Sequence, residues 1–193
     1  MTLPSLEEAL ILLEKQGNPQ NIIDHSIRVA QVTFELAKEL SSRFNLDVKL
    51  SILGALLHDI TKMRSIETGE DHAQTGAFII ESLGYKDLAP LIRHHIILKE
   101  PIANPTITEV ELVFYADKRV KHSEVVSVKE RFLDVIHRYC KGQKPTPMMI
   151  KIYKQTLYLE KVIFSNISLK PNTLLMINQK PIDIKEIKKW LED

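Results

Sequence analysis

Histidine and aspartate recur in this 193-residue chain within runs that are otherwise apolar. His58-Asp59 follows Ala55-Leu56-Leu57, Asp117 follows Val113-Phe114-Tyr115-Ala116, and His94-His95 falls between Leu91-Ile92 and Ile96-Ile97-Leu98. His25 lies between Ile23 and Ile27 on a stretch of helical periodicity, bordering its apolar face. An imidazole or carboxylate in a core costs free energy unless it is paired or ligates a metal. One such histidine is ordinarily a satisfied core or surface side chain. The same interruption in four separate apolar segments points to a shared polar site. Imidazole mixed with carboxylate suits Fe, Mn, Co, Ni or Zn better than Mg or Ca alone.

The elements that must position these residues read as helices. Ser5 with Glu8 forms a capping box before Ala9, Leu10, Leu12 and Leu13. After Asn18-Pro19, Ile23, Ile27, Ala30, Phe34, Ala37 and Leu40 make the apolar face of a longer helix. Asp47 caps a third helix, which reaches His58. Met63 to Asp71 reads as a loop, His72 to Leu83 as a helix closed by Gly84, and Asp87 to His95 as a short helix. Pro101 and Pro105 mark a loop, Thr108 with Glu111 caps the helix of Asp117, and Ser127 with Glu130 caps one ending near Gly142. Lys141 to Pro147 is the best linker. Beyond it come a helix to about Phe164, a segment from Thr173 to Asn178 that is a short strand or irregular, and a last helix carrying Ile187 and Trp190. The expectation is an all-α bundle of six or seven helices over residues 1–142, with residues 143–193 as a C-terminal helical extension packing on it.

Composition adds exclusions. Hydrophobic residues are 44% and charged residues 26%, with a formal net charge of +1, so bulk electrostatics argue for neither nucleic acid nor a membrane surface. The single cysteine, Cys140, excludes an internal disulfide and fits a reducing compartment. No basic-then-apolar leader opens the chain, and the strongly apolar run Ile52 to Leu57 is far short of the roughly 20 residues of a membrane span. A cytoplasmic protein is expected, with no membrane partner; a homodimer is allowed for.

The order His25, His58-Asp59, Asp117 resembles the signature of the HD-domain superfamily of metal-dependent phosphohydrolases. The flanking words His25-Ser-Ile-Arg-Val-Ala, Ala55-Leu-Leu-His-Asp-Ile-Thr-Lys62 and Tyr115-Ala-Asp-Lys-Arg-Val120 carry the resemblance, which spans about residues 20 to 140. His72-Ala-Gln-Thr-Gly76 and the His94-His95 pair resemble the additions found in members that hold two metals. The resemblance implies two divalent transition metal ions bridged by Asp59, with His25, His58 and Asp117 on one and His72, His94 and His95 on the other. A metal-activated hydroxide would then attack a phosphoester. Lys62, four residues after His58, shares its face on a continuing helix and is expected to touch a phosphate or help the leaving group. Arg28, one turn from His25, is a further substrate-binding candidate, as are Lys118 and Arg119.

Two departures narrow the substrate. The chain lacks the Gly-Tyr-Pro that marks cyclic-di-GMP phosphodiesterases of the superfamily, and reads His-Asp-Ile-Thr-Lys where alarmone hydrolases show two acidic residues. A small phosphorylated substrate, a nucleotide in particular, is the expectation. A di-iron oxygenase of the same superfamily and a non-catalytic metal-binding module are the alternatives.

Overall fold

Ser5 and Glu8 cap each other's backbone amides and open α1, Leu6–Lys15. The computed structural model describes residues 2–99 and 106–192, so the loop expected around Pro101 and Pro105 lies outside the described residues. Helix α2, Gln20–Phe44, begins after Pro19 and stops at Asn45, whose φ of 51° is left-handed. Its stripe of Ile27, Ala30, Leu36, Ala37 and Leu40 is buried. Asp47 accepts from the Leu50 amide and starts α3, Val48–Leu57. Every residue of α3 from Leu50 to Leu57 is buried, and a helix apolar all round belongs at the centre of a core. Helix α2 lies along it, α1, α6 (Ala89–His94) and α7 (Glu109–Asp117) pack around it, and α5 (His72–Ser82) packs on α6. At Gly54 a Cβ would overlap the Leu91 side chain, so glycine is what lets α6 close on α3.

The chain is all-α, with ten α-helices and one 3-10 helix among the described residues. Three expectations need correction. The helix of His58 does not continue to Lys62: it ends at Leu57, turns through residues 58–61, and restarts as α4, Lys62–Thr68, within the stretch read as a loop. A two-stranded antiparallel hairpin, β1 (Val120–Lys121) with β2 (Glu124–Val125), follows α7 and was not foreseen. Its turn places His122 at φ 53°, the left-handed backbone that two-residue hairpin turns require. Finally, the segment near Thr173 is a 3-10 helix, Pro171–Gln179, rather than a strand.

Helices α8 (Val128–Cys140), α9 (Pro147–Ser165) and α10 (Ile184–Glu192) complete the chain. Leu159, Ile163, Leu174, Ile177 and Ile187 enter the same apolar cluster as α2 and α3. Trp190 stacks on Phe34 at 4.1 Å between ring centres, Gln155 donates to the Leu98 carbonyl, and Tyr115 donates to Glu160. Among the described residues no helix is long and apolar enough to cross a membrane.

Candidate metal centre

The end of α3, the end of α7, the second turn of α2 and the start of α5 meet at one point. There His25 Nε2 lies 3.1 Å from Asp117 Oδ1, and His58 Nε2 lies 3.7 Å from both Asp59 and Asp117. His72 Nε2 and His95 Nε2 approach Asp59 Oδ1 at 3.0 and 3.4 Å and each other at 3.2 Å. Six of the seven expected ligands therefore converge. Two groups have ligand atoms within 4.8 Å of one another and could hold a metal ion: His25, His58 and Asp117, and His58, Asp59 and His95.

Main-chain carbonyls set the ring orientations. His25 Nδ1 meets the His122 carbonyl at 2.7 Å, His58 Nδ1 the Ala55 carbonyl at 2.7 Å, and His95 Nδ1 the Ile92 carbonyl at 2.6 Å. A carbonyl only accepts, so each Nδ1 carries a proton, and the buried rings of His58 and His95, held neutral, turn a bare Nε2 lone pair inward. These lone pairs face carboxylate oxygens, which also only accept. His58 Nε2 and Asp59 Oδ1 are buried with no hydrogen-bond partner. Buried acceptors facing acceptors call for a cation between them, and this donor set fits a transition metal.

A proton is a poor substitute for that cation. Burial drives the His58 pKa down to about 3, despite the raising influence of Asp59 and Asp117. Burial lowers His95 as well, against the pull of Asp59. The same burial would raise the carboxyls, but it is outweighed. Lys62 and the imidazoles of His58, His72 and His95 hold Asp59 well below the usual range, and Lys118 with His25 and His58 does the same for Asp117. At neutral pH the two carboxylates are therefore ionised beside the neutral rings of His58 and His95.

Three expected residues are not brought there. His94 is half-buried, and the charges acting on it are those of Lys99, Arg93 and Glu111. His95, the next residue, is the member of the pair that meets Asp59. Arg28 is also corrected. It is buried and spends its guanidinium on the Ser123, Ile177 and Lys180 carbonyls and on Gln31. Arg119 likewise donates to the Val126 and Pro171 carbonyls and to the Tyr115 hydroxyl. Four of the five N–H donors of each guanidinium are taken by fixed acceptors, which makes both arginines structural ties. Lys62 is at the site, with Nζ 3.3 Å from His72 Nε2 and 3.8 Å from Asp59 Oδ1.

Other residues act there in roles that the sequence reading did not assign to them. Lys118 is buried, donating to Asp117 Oδ2 at 2.6 Å and to the His95 carbonyl at 2.7 Å, so it orients a ligand instead of facing substrate. Thr61 Oγ1 donates to the His72 carbonyl. The backbone of His122, not its ring, holds His25. Arg131 of α8 lines the cavities on both sides of Asp59.

The HD domain family matches residues 22–120, and the chain belongs to that family. It is 31% identical over 151 residues to an uncharacterized protein of Methanocaldococcus jannaschii, covering 68% of this chain and 88% of that one. It is 37% identical over 89 residues to ribonuclease Y of Pseudothermotoga lettingae, covering 46% of this chain but only 17% of that enzyme. A crystal structure of a predicted HD superfamily hydrolase from an uncultured Thermotogales bacterium aligns with a TM-score of 0.47 at 22% identity, over 84% of this chain and 91% of that one.

Proposed function

We propose that this chain is a metal-dependent phosphohydrolase that cleaves a small phosphoester, with a nucleotide as the favoured class, at the centre around Asp59. The observation that carries the reading is the convergence of inward lone pairs on buried carboxylates, with His58 Nε2 and Asp59 Oδ1 left without partners. His25, His58 and Asp117 would hold one ion and His72 and His95 a second, with Asp59 between them. Metal ions in such a site supply positive charge to the phosphoryl oxygens and lower the pKa of a coordinated water.

The chain's own groups do the rest. The carbonyls of Ala55, Ile92 and His122 keep the three rings in one tautomer, so the ligands need no rearrangement to bind. Lys118 holds the Asp117 carboxylate from its far side. Lys62, about a third exposed, presents its ammonium at the open side, where it meets a phosphoryl oxygen and steadies negative charge on the leaving group. Likeness to a ribonuclease places RNA phosphodiesters among the substrates to test, although a net charge of +1 favours a small one.

Protein purified without chelators should carry about two transition-metal ions per chain. It should also turn over at least one of a panel of nucleoside monophosphates, cyclic nucleotides, dinucleotides and short RNAs. Metal-replete protein inert towards the whole panel would overturn the reading, and coupled-iron spectroscopy with substrate oxidation would favour the oxygenase instead.

A further inference from the structure

Two cavities flank Asp59 and differ in chemistry. One, of about 240 Å³, is bordered by His25, Lys62, His122, Arg131 and Arg138. The other, of about 180 Å³, also reaches Asp59, Lys62 and Arg131, but its far wall is Ile96, Phe132, Met149 and Ile152. Each is below the roughly 300–1,000 Å³ of an ordinary ligand site, and the residues they share make them halves of one. Arg131 stands at the junction, eleven residues past the end of the family match.

Its surroundings separate it from an ordinary surface arginine. The side chain is only 15% exposed, and Nε is buried without a partner. Asp134 takes NH1 at 3.3 Å and also binds Arg138, so one carboxylate aligns two guanidinium groups along the same face of α8. Helix-surface pairs of this kind are worth a few tenths of a kcal/mol and do not by themselves explain a buried unpaired donor. The Arg131 charge is also felt at Lys118, inside the site, where it helps burial lower the ammonium pKa. A guanidinium offers planar paired donors suited to a phosphoryl group.

We propose, on the phosphohydrolase reading, that Arg131 clamps the substrate's phosphate opposite Lys62, while an apolar or aromatic leaving group lies against Phe132, Met149 and Ile152. The site thereby selects phosphoesters of ring-bearing alcohols over bare or purely polar ones.

Binding of inorganic phosphate to the Mn-loaded protein, followed by calorimetry, tests the clamp independently of turnover. Arg131→Ala and Arg131→Gln should each weaken phosphate about tenfold or more and raise KM for p-nitrophenyl phosphate similarly, with metal content unchanged. Ile152→Asn, on the wall of the second cavity alone, should raise that KM and leave the phosphate Kd unchanged. Wild-type Kd and KM in both Arg131 variants would overturn the clamp and leave the hydrolase reading standing, and a wild-type protein that binds no phosphate would also overturn it. Phosphate binding that is lost in the variants, from a protein that hydrolyses no ester, would keep the clamp and sink the hydrolase reading. An unaltered KM in Ile152→Asn would remove the apolar wall from the proposal.

Discussion

Burial keeps the His58 imidazole neutral down to about pH 3, whereas a histidine in an unfolded chain takes up its proton near pH 6.5. Between those values the unfolded chain binds more protons than the folded one, so stability rises with pH across the window and is lost as pH falls. His95, also lowered by burial, acts in the same direction, and the depressed Asp59 and Asp117 extend the loss below about pH 4. The melting temperature of metal-free protein should therefore fall steadily from pH 6.5 to pH 4; a flat profile would contradict this electrostatic picture. Substitutions should separate the six converging ligands from His94. Asp59→Asn should abolish hydrolysis and most metal binding, because that carboxylate adjoins both metal groups. His72→Ala should keep one ion, and His94→Ala should match the wild type in metal content and rate. Metal loss in His94→Ala equal to that in Asp59→Asn would undo the assignment of His95 as the inward member of the pair.

At the scale of elements, the ligand helices are held by contacts far apart in sequence. Arg28 reaches the Ile177 carbonyl 149 residues away, and Arg119 reaches Pro171 52 residues away. Removing everything after Gly142 would leave both guanidinium groups short of acceptors and expose Phe34 and the α7 face. A buried charge left unpaired costs about 3–5 kcal/mol, so the truncated protein should be insoluble or melt well below the full chain. A fragment as stable as the whole would show residues 143–193 to be independent. Gly54→Ala should cost roughly 1–3 kcal/mol by pushing α6 off α3, and should weaken metal binding because α6 leads into His95. These distances explain what could be read in advance. His58-Asp59 and Asp117 were legible because a polar residue ending an apolar run is a local pattern. Helix α2 and the caps at Ser5 and Asp47 were legible for the same reason. Arg28 and Arg119 look like substrate ligands because each lies within a turn of a metal-site residue, and nothing local reveals that remote carbonyls claim them. The His122 carbonyl and the placement of Arg131 depend on a hairpin and on the docking of α8, which no spacing encodes.

The whole molecule combines a buried polar centre with an apolar frame, and the two ammonium groups beside that centre already have their places. Lys118 is committed to Asp117 and the His95 carbonyl, and Lys62 lies at the rim. The folded chain thus prepares a site before any metal arrives, and membership of the HD domain family places that site in a family of matching architecture. Because bound metal stabilises only the state that binds it, loading should raise the melting temperature, most at acid pH, where the empty site is weakest. The central claim is hydrolysis that depends on metal at this centre. Its most direct test is phosphate release from a nucleotide panel by protein stripped with a strong chelator and then resupplied with Mn. The account predicts activity that vanishes on stripping, returns with Mn, and does not return in Asp59→Asn. Hydrolysis that survives chelation, or that returns equally in Asp59→Asn, would contradict it.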